Sequence, residues 1–171
     1  MIILGIDPGL ATIGLGLIER GTAKNDLRLL DCCTIETAKG LPLHQRLKEL
    51  AEDLRGVLRE HKPDLAVVEK LYFQTNVKTA MDVAAARGVI LLTLAEEGVE
   101  ILEPTPLELK STVTGDGRAD KKQVSDMLRH ILHLPEGAFS KERDDTTDAV
   151  ALAVYGAVSG NCISSDTYCT P

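Results

Sequence analysis

Residues 64–69 read Asp-Leu-Ala-Val-Val-Glu, a short apolar run without alternation, closed by an acid at each end. A strand of that kind must be covered on both faces, which calls for a sheet carrying helices on each side. The rest of the chain supplies such an α/β fold. Three runs, Ile2 to Asp7, Ile13 to Arg20 and Leu27 to Glu36, are separated by glycine-bearing turns and read as consecutive antiparallel strands. From Leu43 to Glu60, Leu43, Leu47, Leu50, Leu54, Val57 and Leu58 recur at helical spacing until Lys62-Pro63 stops the run. The pattern then predicts a long helix at about Thr75 to Glu97, a strand at Val99 to Leu102, and a helix started by Pro104 and reaching about Val113. A glycine loop, a helix from Asp120 to Leu132 and a last helix from Asp145 follow. Strands that alternate with helices pair in parallel, so the expected sheet is mixed and five-stranded, with three antiparallel N-terminal strands and then parallel ones.

Two of these strands end on a carboxylate: Ile3-Leu4-Gly5-Ile6-Asp7-Pro8-Gly9 and Leu65-Ala66-Val67-Val68-Glu69. An acid at the end of a buried strand is costly to desolvate unless a cation compensates it. A hard divalent metal such as Mg²⁺ is the usual compensator, and it needs several oxygen ligands. Asp145-Thr146-Thr147-Asp148 opens the apolar helix 149–158 and sets two carboxylates three residues apart on one helical face. Asp7, Glu69, Asp145 and Asp148 therefore form a candidate metal and catalytic cluster. Asp145 with Asp148 also has the form of a helix-start capping arrangement, and adjacent Asp144 is a reserve ligand or N-cap. Two divalent ions held between such acids can activate water on one side of a phosphodiester and stabilise the leaving oxygen on the other.

The length of 171 residues suits one domain over 1–158, with a polar tail at 159–171. The chain starts directly on a strand without a basic, apolar leader, and no apolar run approaches a membrane span, so a cytoplasmic address is expected. Cys32, Cys33, Cys162 and Cys169 lack metal-binding spacing and read as reduced thiols; His130 and His133 have no third ligand in view. A formal charge of −7 argues against a general polyanion binder. The positive charge that exists is partly gathered between Lys110 and Arg129, through Lys110, Arg118, Lys121 and Lys122.

The long helix is apolar almost all round, and Ala80, Ala84 and Gly88 draw a small-residue line along it. Burial between the sheet and neighbouring helices explains this, and so does a homodimer seam added to that burial. Tyr72 and Phe73 directly follow the acidic strand end in a chain with only five aromatic residues. Exposed rings there could stack on unpaired bases, and a loop-anchoring role is the alternative.

Taken in order, Gly5-Ile6-Asp7-Pro8-Gly9 with Thr12 and Gly14, Val68-Glu69 with Tyr72-Phe73 and Asn76, and Ala86-Arg87-Gly88 carry a resemblance to a known family. Pro106 to Gly115 with Lys110, Lys121 to Val124, and Asp145-x-x-Asp148-Ala149 complete it. The chain resembles the RuvC family of Holliday-junction resolvases, in the ribonuclease H-like superfamily, over about residues 1–158. The resemblance implies a ribonuclease H-like fold and Mg²⁺ ligation by Asp7, Glu69, Asp145 and Asp148, with two ions per site and Mn²⁺ able to substitute. It implies DNA contacts through Tyr72 or Phe73, Lys110 and Lys121; Arg118 and Lys122 are expected to meet the DNA backbone. It further implies a homodimer through helix 75–97 and work alongside a RuvA–RuvB branch-migration complex. The expected activity in DNA recombination and repair is symmetric, metal-dependent hydrolysis of two like-polarity strands of a four-way DNA junction, leaving 5′-phosphate ends.

Three rivals remain at this point. An actin-like kinase or ATPase also presents an aspartate before a glycine-bearing turn, but needs two such domains. A catalytically silent junction-binding module would share the fold. A ribosomal-RNA-processing nuclease of related fold is the third.

Overall fold

The computed structural model describes residues 1–22, 26–70, 77–136, 138–139 and 144–160; the side chains of 77–79 and 144–145 fall outside that description. The predicted Tyr72 and Phe73, the expected start of the long helix before Val77, Cys162, Cys169 and most of the tail lie outside the described residues. Among the described residues the strands are β1 (Ile2–Asp7), β2 (Thr12–Arg20), β3 (Leu27–Glu36), β4 (Leu65–Val68) and β5 (Glu100–Leu102). The helices among them are α1 (Leu43–His61), α2 (Val77–Glu96), α3 (Pro106–Thr114), α4 (Lys121–Ile131) and α5 (Asp144–Ser159). The sheet order is β3-β2-β1-β4-β5. β1, β2 and β3 pair antiparallel and β4 pairs in parallel with β5, as the pattern predicts. β4 also pairs in parallel with β1, which places the two halves of the sheet side by side.

Alternation along the central strands sorts the core into two layers. Leu4 and Ile6 of β1 and Ala66 and Val68 of β4 face α1 and α2, meeting Leu50, Leu54, Ile90 and Leu94. Ile3, Leu65 and Val67 face the other way, onto α5 with α3 and α4 behind it. All four residues of β4 are buried, which is why its sequence shows no polar face.

Local chemistry sets the helix ends. Lys62 takes a left-handed conformation (φ 47°), its N–H donates to the Leu58 carbonyl, and Pro63 blocks continuation of α1. The helix expected to start at Pro104 starts instead at Pro106. Thr105 is its N-cap: Thr105 Oγ1 accepts from the Glu108 N–H at 3.2 Å, and Glu108 returns the bond to the Thr105 N–H at 2.8 Å. Two prolines compete for the first helical position, and the reciprocal capping box selects the second. Asp120 and Gln123 cap α4 in the same way, with both bonds at 2.8 Å.

Candidate active site

Asp7 and Glu69 come together because β1 and β4 run parallel in register. Gly5 pairs with Val67, so two residues further on, past one full pleat, Asp7 and Glu69 stand side by side at the strand ends. Both continue the alternation of Ile3 and Val67, which directs them to the face covered by α5. The start of that helix carries the remaining acids. α5 begins at Asp144, one residue ahead of the predicted start, so Asp144 and Asp145 occupy its first turn and Asp148 follows three residues after Asp145. The side chains of Asp144 and Asp145 are among those not described.

What lets α5 come close is the absence of two side chains. Gly5 and Gly16 are register partners on β1 and β2. A Cβ on Gly5 would sit 1.9 Å from the Ala149 carbonyl oxygen, and one on Gly16 would sit 2.7 Å from the Val150 nitrogen. The helix backbone therefore lies directly on a glycine platform, beginning at the residue after Asp148. Sequence reasoning noted Gly5 only as part of a motif and missed Gly16. The available signal was two glycines inside β-strand patterns, a mark of close backbone approach.

Asp7, Glu69 and Asp148 line one cavity of about 190 Å³, together with Lys110 from α3 and Lys121 from α4. Leu109, Val124 and Leu152 form its apolar wall. Lys121 Nζ donates to Asp148 Oδ2 at 3.1 Å, a largely exposed pair that orients the site more than it stabilises the fold. Burial, and after it the neighbouring Asp148 carboxylate, pushes the Glu69 carboxyl above its ordinary value, against the opposing pull of Lys110 and Lys121. A half-buried acid held up in this way gains from any added cation. Among the described residues, no three acidic, histidine or cysteine side chains stand close enough together to hold one ion. The donor set is all oxygen, which suits a hard cation, and the carboxylates would have to draw in around it.

The remaining predicted positions are more dispersed. Arg118, in the turn between α3 and α4, and Lys122, at the start of α4, are exposed and do not line the cavity. His130 and His133 are exposed at the end of α4. Cys32 and Cys33 are free thiols. A broader hollow of about 390 Å³, lined by Leu58, Arg59, Lys62, Glu97 and Val99, contains none of the predicted acids. Its one carboxylate, Glu97, lies 3.7 Å from both Arg55 and Arg59.

α2 is two-faced. Ala86, Ile90 and Leu94 are buried against the sheet and α1. On the opposite side Met81 is 73% and Leu92 59% exposed, with exposed Gly88 between them. Both explanations of its all-round apolarity thus keep a place, since core burial uses only one face.

A mixed five-stranded sheet with a carboxylate-lined cavity at the ends of its two central parallel strands defines a ribonuclease H-like domain of the nuclease kind. The profile of the family described as "Crossover junction endodeoxyribonuclease RuvC" matches residues 3–156. The crossover junction endodeoxyribonuclease RuvC of Alkaliphilus oremlandii is 43% identical over 161 residues, covering 94% of this chain and 95% of the relative. The solved structure of Thermus thermophilus RuvC is 30% identical, with a TM-score of 0.82 over 95% of this chain and 96% of the other. The same Thermus protein in complex with Holliday junction substrate gives a TM-score of 0.84 at the same identity and coverage. The chain belongs to the RuvC family. Membership displaces the actin-like kinase reading and the ribosomal-RNA-processing alternative.

Proposed function

We propose that this protein is a Mg²⁺-dependent, structure-selective endonuclease that resolves four-way DNA junctions by cutting two strands of like polarity. The observation that carries the reading is the convergence of Asp7, Glu69 and Asp148 on one cavity flanked by Lys110 and Lys121, in a chain of the RuvC family. Asp7, Glu69 and Asp148, joined by Asp145, are the residues to hold Mg²⁺, with Asp144 in reserve. Mg²⁺, when bound, supplies electrophilic activation of the phosphodiester and acidifies water. The chain's own groups do the rest. The carboxylates orient the attacking water and take up its proton, and the apolar wall of Leu109, Val124 and Leu152 keeps bulk solvent away. The Lys110 and Lys121 ammonium groups meet the scissile phosphate and offset charge that develops on it.

Arg118 and Lys122 contact the DNA backbone beyond the cavity, and Tyr72 or Phe73 stacks on bases opened at the junction. Residues 1–158 act as the nuclease domain. Two copies associate through the exposed face of α2, so that one site per subunit meets a two-fold substrate. On the same reading the protein is cytoplasmic and works with a RuvA–RuvB branch-migration complex; no described helix is long and apolar enough to cross a membrane.

Cleavage of a synthetic four-way junction with and without Mg²⁺, by wild type and Asp7→Asn, tests the proposal. Wild type should cut only with the metal, and Asp7→Asn should bind the junction without cutting it. Wild type that binds but never cuts would make the protein a silent binding module. Full cutting by Asp7→Asn would refute the metal-site reading.

A further inference from the structure

Arg87 belongs to an Ala-Arg-Gly motif for which the cavity supplies no direct use, since its side chain does not line it. Its contacts lie instead just behind the cavity. β4 ends at Val68 and β5 at Leu102, and beyond them the two chains stay joined through a Lys70 N–H to Pro104 carbonyl bond of 2.9 Å. Arg87, on α2, places its guanidinium at that junction with only 18% of the side chain exposed. Its Nε donates to the Glu69 carbonyl oxygen at 3.0 Å, and its Nη2 pairs with the Glu103 carboxylate.

We infer that Arg87 is a positioning residue: by gripping the Glu69 backbone and tying it to Glu103, it fixes the direction in which the Glu69 carboxylate enters the site. The inference rests on the proposed role of Glu69 as a metal ligand. A planar guanidinium offers donors at fixed angles, so one side chain can hold acceptors on two strand ends at a set separation. Glu69 is the first residue past the β4 ladder, and the next backbone bond to the neighbouring strand end is made by Lys70, not by Glu69. The Arg87 bond adds a second constraint at Glu69 itself, whose carboxylate lines the cavity with Asp7 and Asp148. Glu103 lies two residues before the Thr105 cap of α3, the helix that carries Lys110, so the same clasp also ties Glu69 to the base of the lysine's helix. A lysine at 87 could reach one of the two acceptors but not hold both in a fixed fork.

The test compares Arg87→Gln, Arg87→Lys and Glu103→Gln with wild type and with Glu69→Gln. Three quantities are read: Mn²⁺ affinity of the DNA-free protein by calorimetry, the Mg²⁺ concentration giving half-maximal junction cleavage, and junction affinity in EDTA. Partners that orient metal ligands from behind contribute about 10–100-fold in metal affinity or activity. Arg87→Gln should therefore weaken Mn²⁺ binding and raise the Mg²⁺ requirement by about 10-fold or more. Junction affinity in EDTA should stay within about 2-fold of wild type, because the cavity lysines are untouched. Arg87→Lys should recover part of the loss, and Glu103→Gln should move in the same direction by less. A clasp that merely holds β4 to β5 would lower the melting temperature without changing metal dependence, and that result overturns the inference. If Arg87→Gln does not fold, Arg87→Lys and Glu103→Gln decide it, and wild-type metal affinity in both overturns it. Glu69→Gln separates the two layers of argument. Unchanged metal dependence in Glu69→Gln sinks the metal-site reading itself, whereas impaired Glu69→Gln beside normal Arg87 variants sinks only the positioning role.

Discussion

Replacing Gly5 with alanine should separate the sheet from the helix that carries half of the acids. The new Cβ would lie 1.9 Å from the Ala149 carbonyl oxygen and 2.5 Å from the Ala153 nitrogen, both of them backbone atoms that no rotamer change can move. Real Cβ contacts essentially never fall below 3.0 Å, so α5 must retreat by about 1.1 Å or β1 must bend away from it. Overpacking of this kind costs about 1–3 kcal/mol, occasionally more. The substitution by itself favours the folded state by about 0.4–1 kcal/mol through the unfolded chain, so any loss of stability reports the clash. For a domain of this size each kcal/mol lowers the melting temperature by about 2–4 °C. Activity should suffer more than stability. Misplacing reacting groups by about 1 Å costs on the order of 100-fold in rate. The assay is junction cleavage at saturating Mg²⁺ beside a thermal melt, with Gly16→Ala as an internal scale. There the Cβ would stand 2.7 Å from the Val150 nitrogen, so a much smaller retreat suffices and the losses should be milder. Gly5→Ala with wild-type melting and wild-type cleavage would refute the glycine-platform argument.

Three further outcomes are expected. Asp7→Asn should lose junction cleavage by several orders of magnitude while gel-shift affinity for the junction in EDTA holds or rises; retained cleavage contradicts the role of Asp7. Glu69 has a folded-state carboxyl raised from the reference of 4.5 by burial and by Asp148, so the native metal-free protein holds that proton more tightly than the unfolded chain. Its contribution to stability is thus fully present below pH 4.5 and is lost as pH rises through the folded-state value, a decline that urea melts should show for wild type and not for Glu69→Gln. Mg²⁺ affinity should climb over that same interval because the ligand must shed its proton, and a flat affinity across it would count against Glu69 as a ligand. Leu92→Glu places a charge on the exposed face of α2, where Leu92 is 59% and Met81 73% exposed. Wild type should sediment as a dimer and Leu92→Glu as a monomer, and a monomeric wild type at micromolar concentration disposes of the α2 seam.

The layered fold and the directions of its strands were readable from residue periodicity and from the alternation of strands with helices. Each signal lies within a few residues: the unbroken apolar run of β4, the hairpin turns, and the leucine spacing of α1. The acids at the ends of β1 and β4 were equally legible, because a carboxylate that closes an apolar run stands out against its own neighbours. The start of α3 was misjudged by two residues, since two prolines offer the same local cue and the choice lies in the Thr105–Glu108 capping pair. The lysines divide for a similar reason. Lys110 and Lys121 face the cavity while Lys122 does not, a distinction of helical phase against a partner that no local window contains.

The sequence alone thus determined the kinds of elements, their order, and which residues could carry metal-dependent chemistry. Tertiary structure decided that these residues meet. Asp7 and Glu69 are 62 positions apart, and they become neighbours through the parallel register of β1 and β4. Asp148 joins them because two glycines on adjacent strands leave room for α5 to settle onto the sheet backbone. Register and approach distance are properties of surfaces in contact, whereas periodicity is a property of the chain, and only the latter can be read one residue after another.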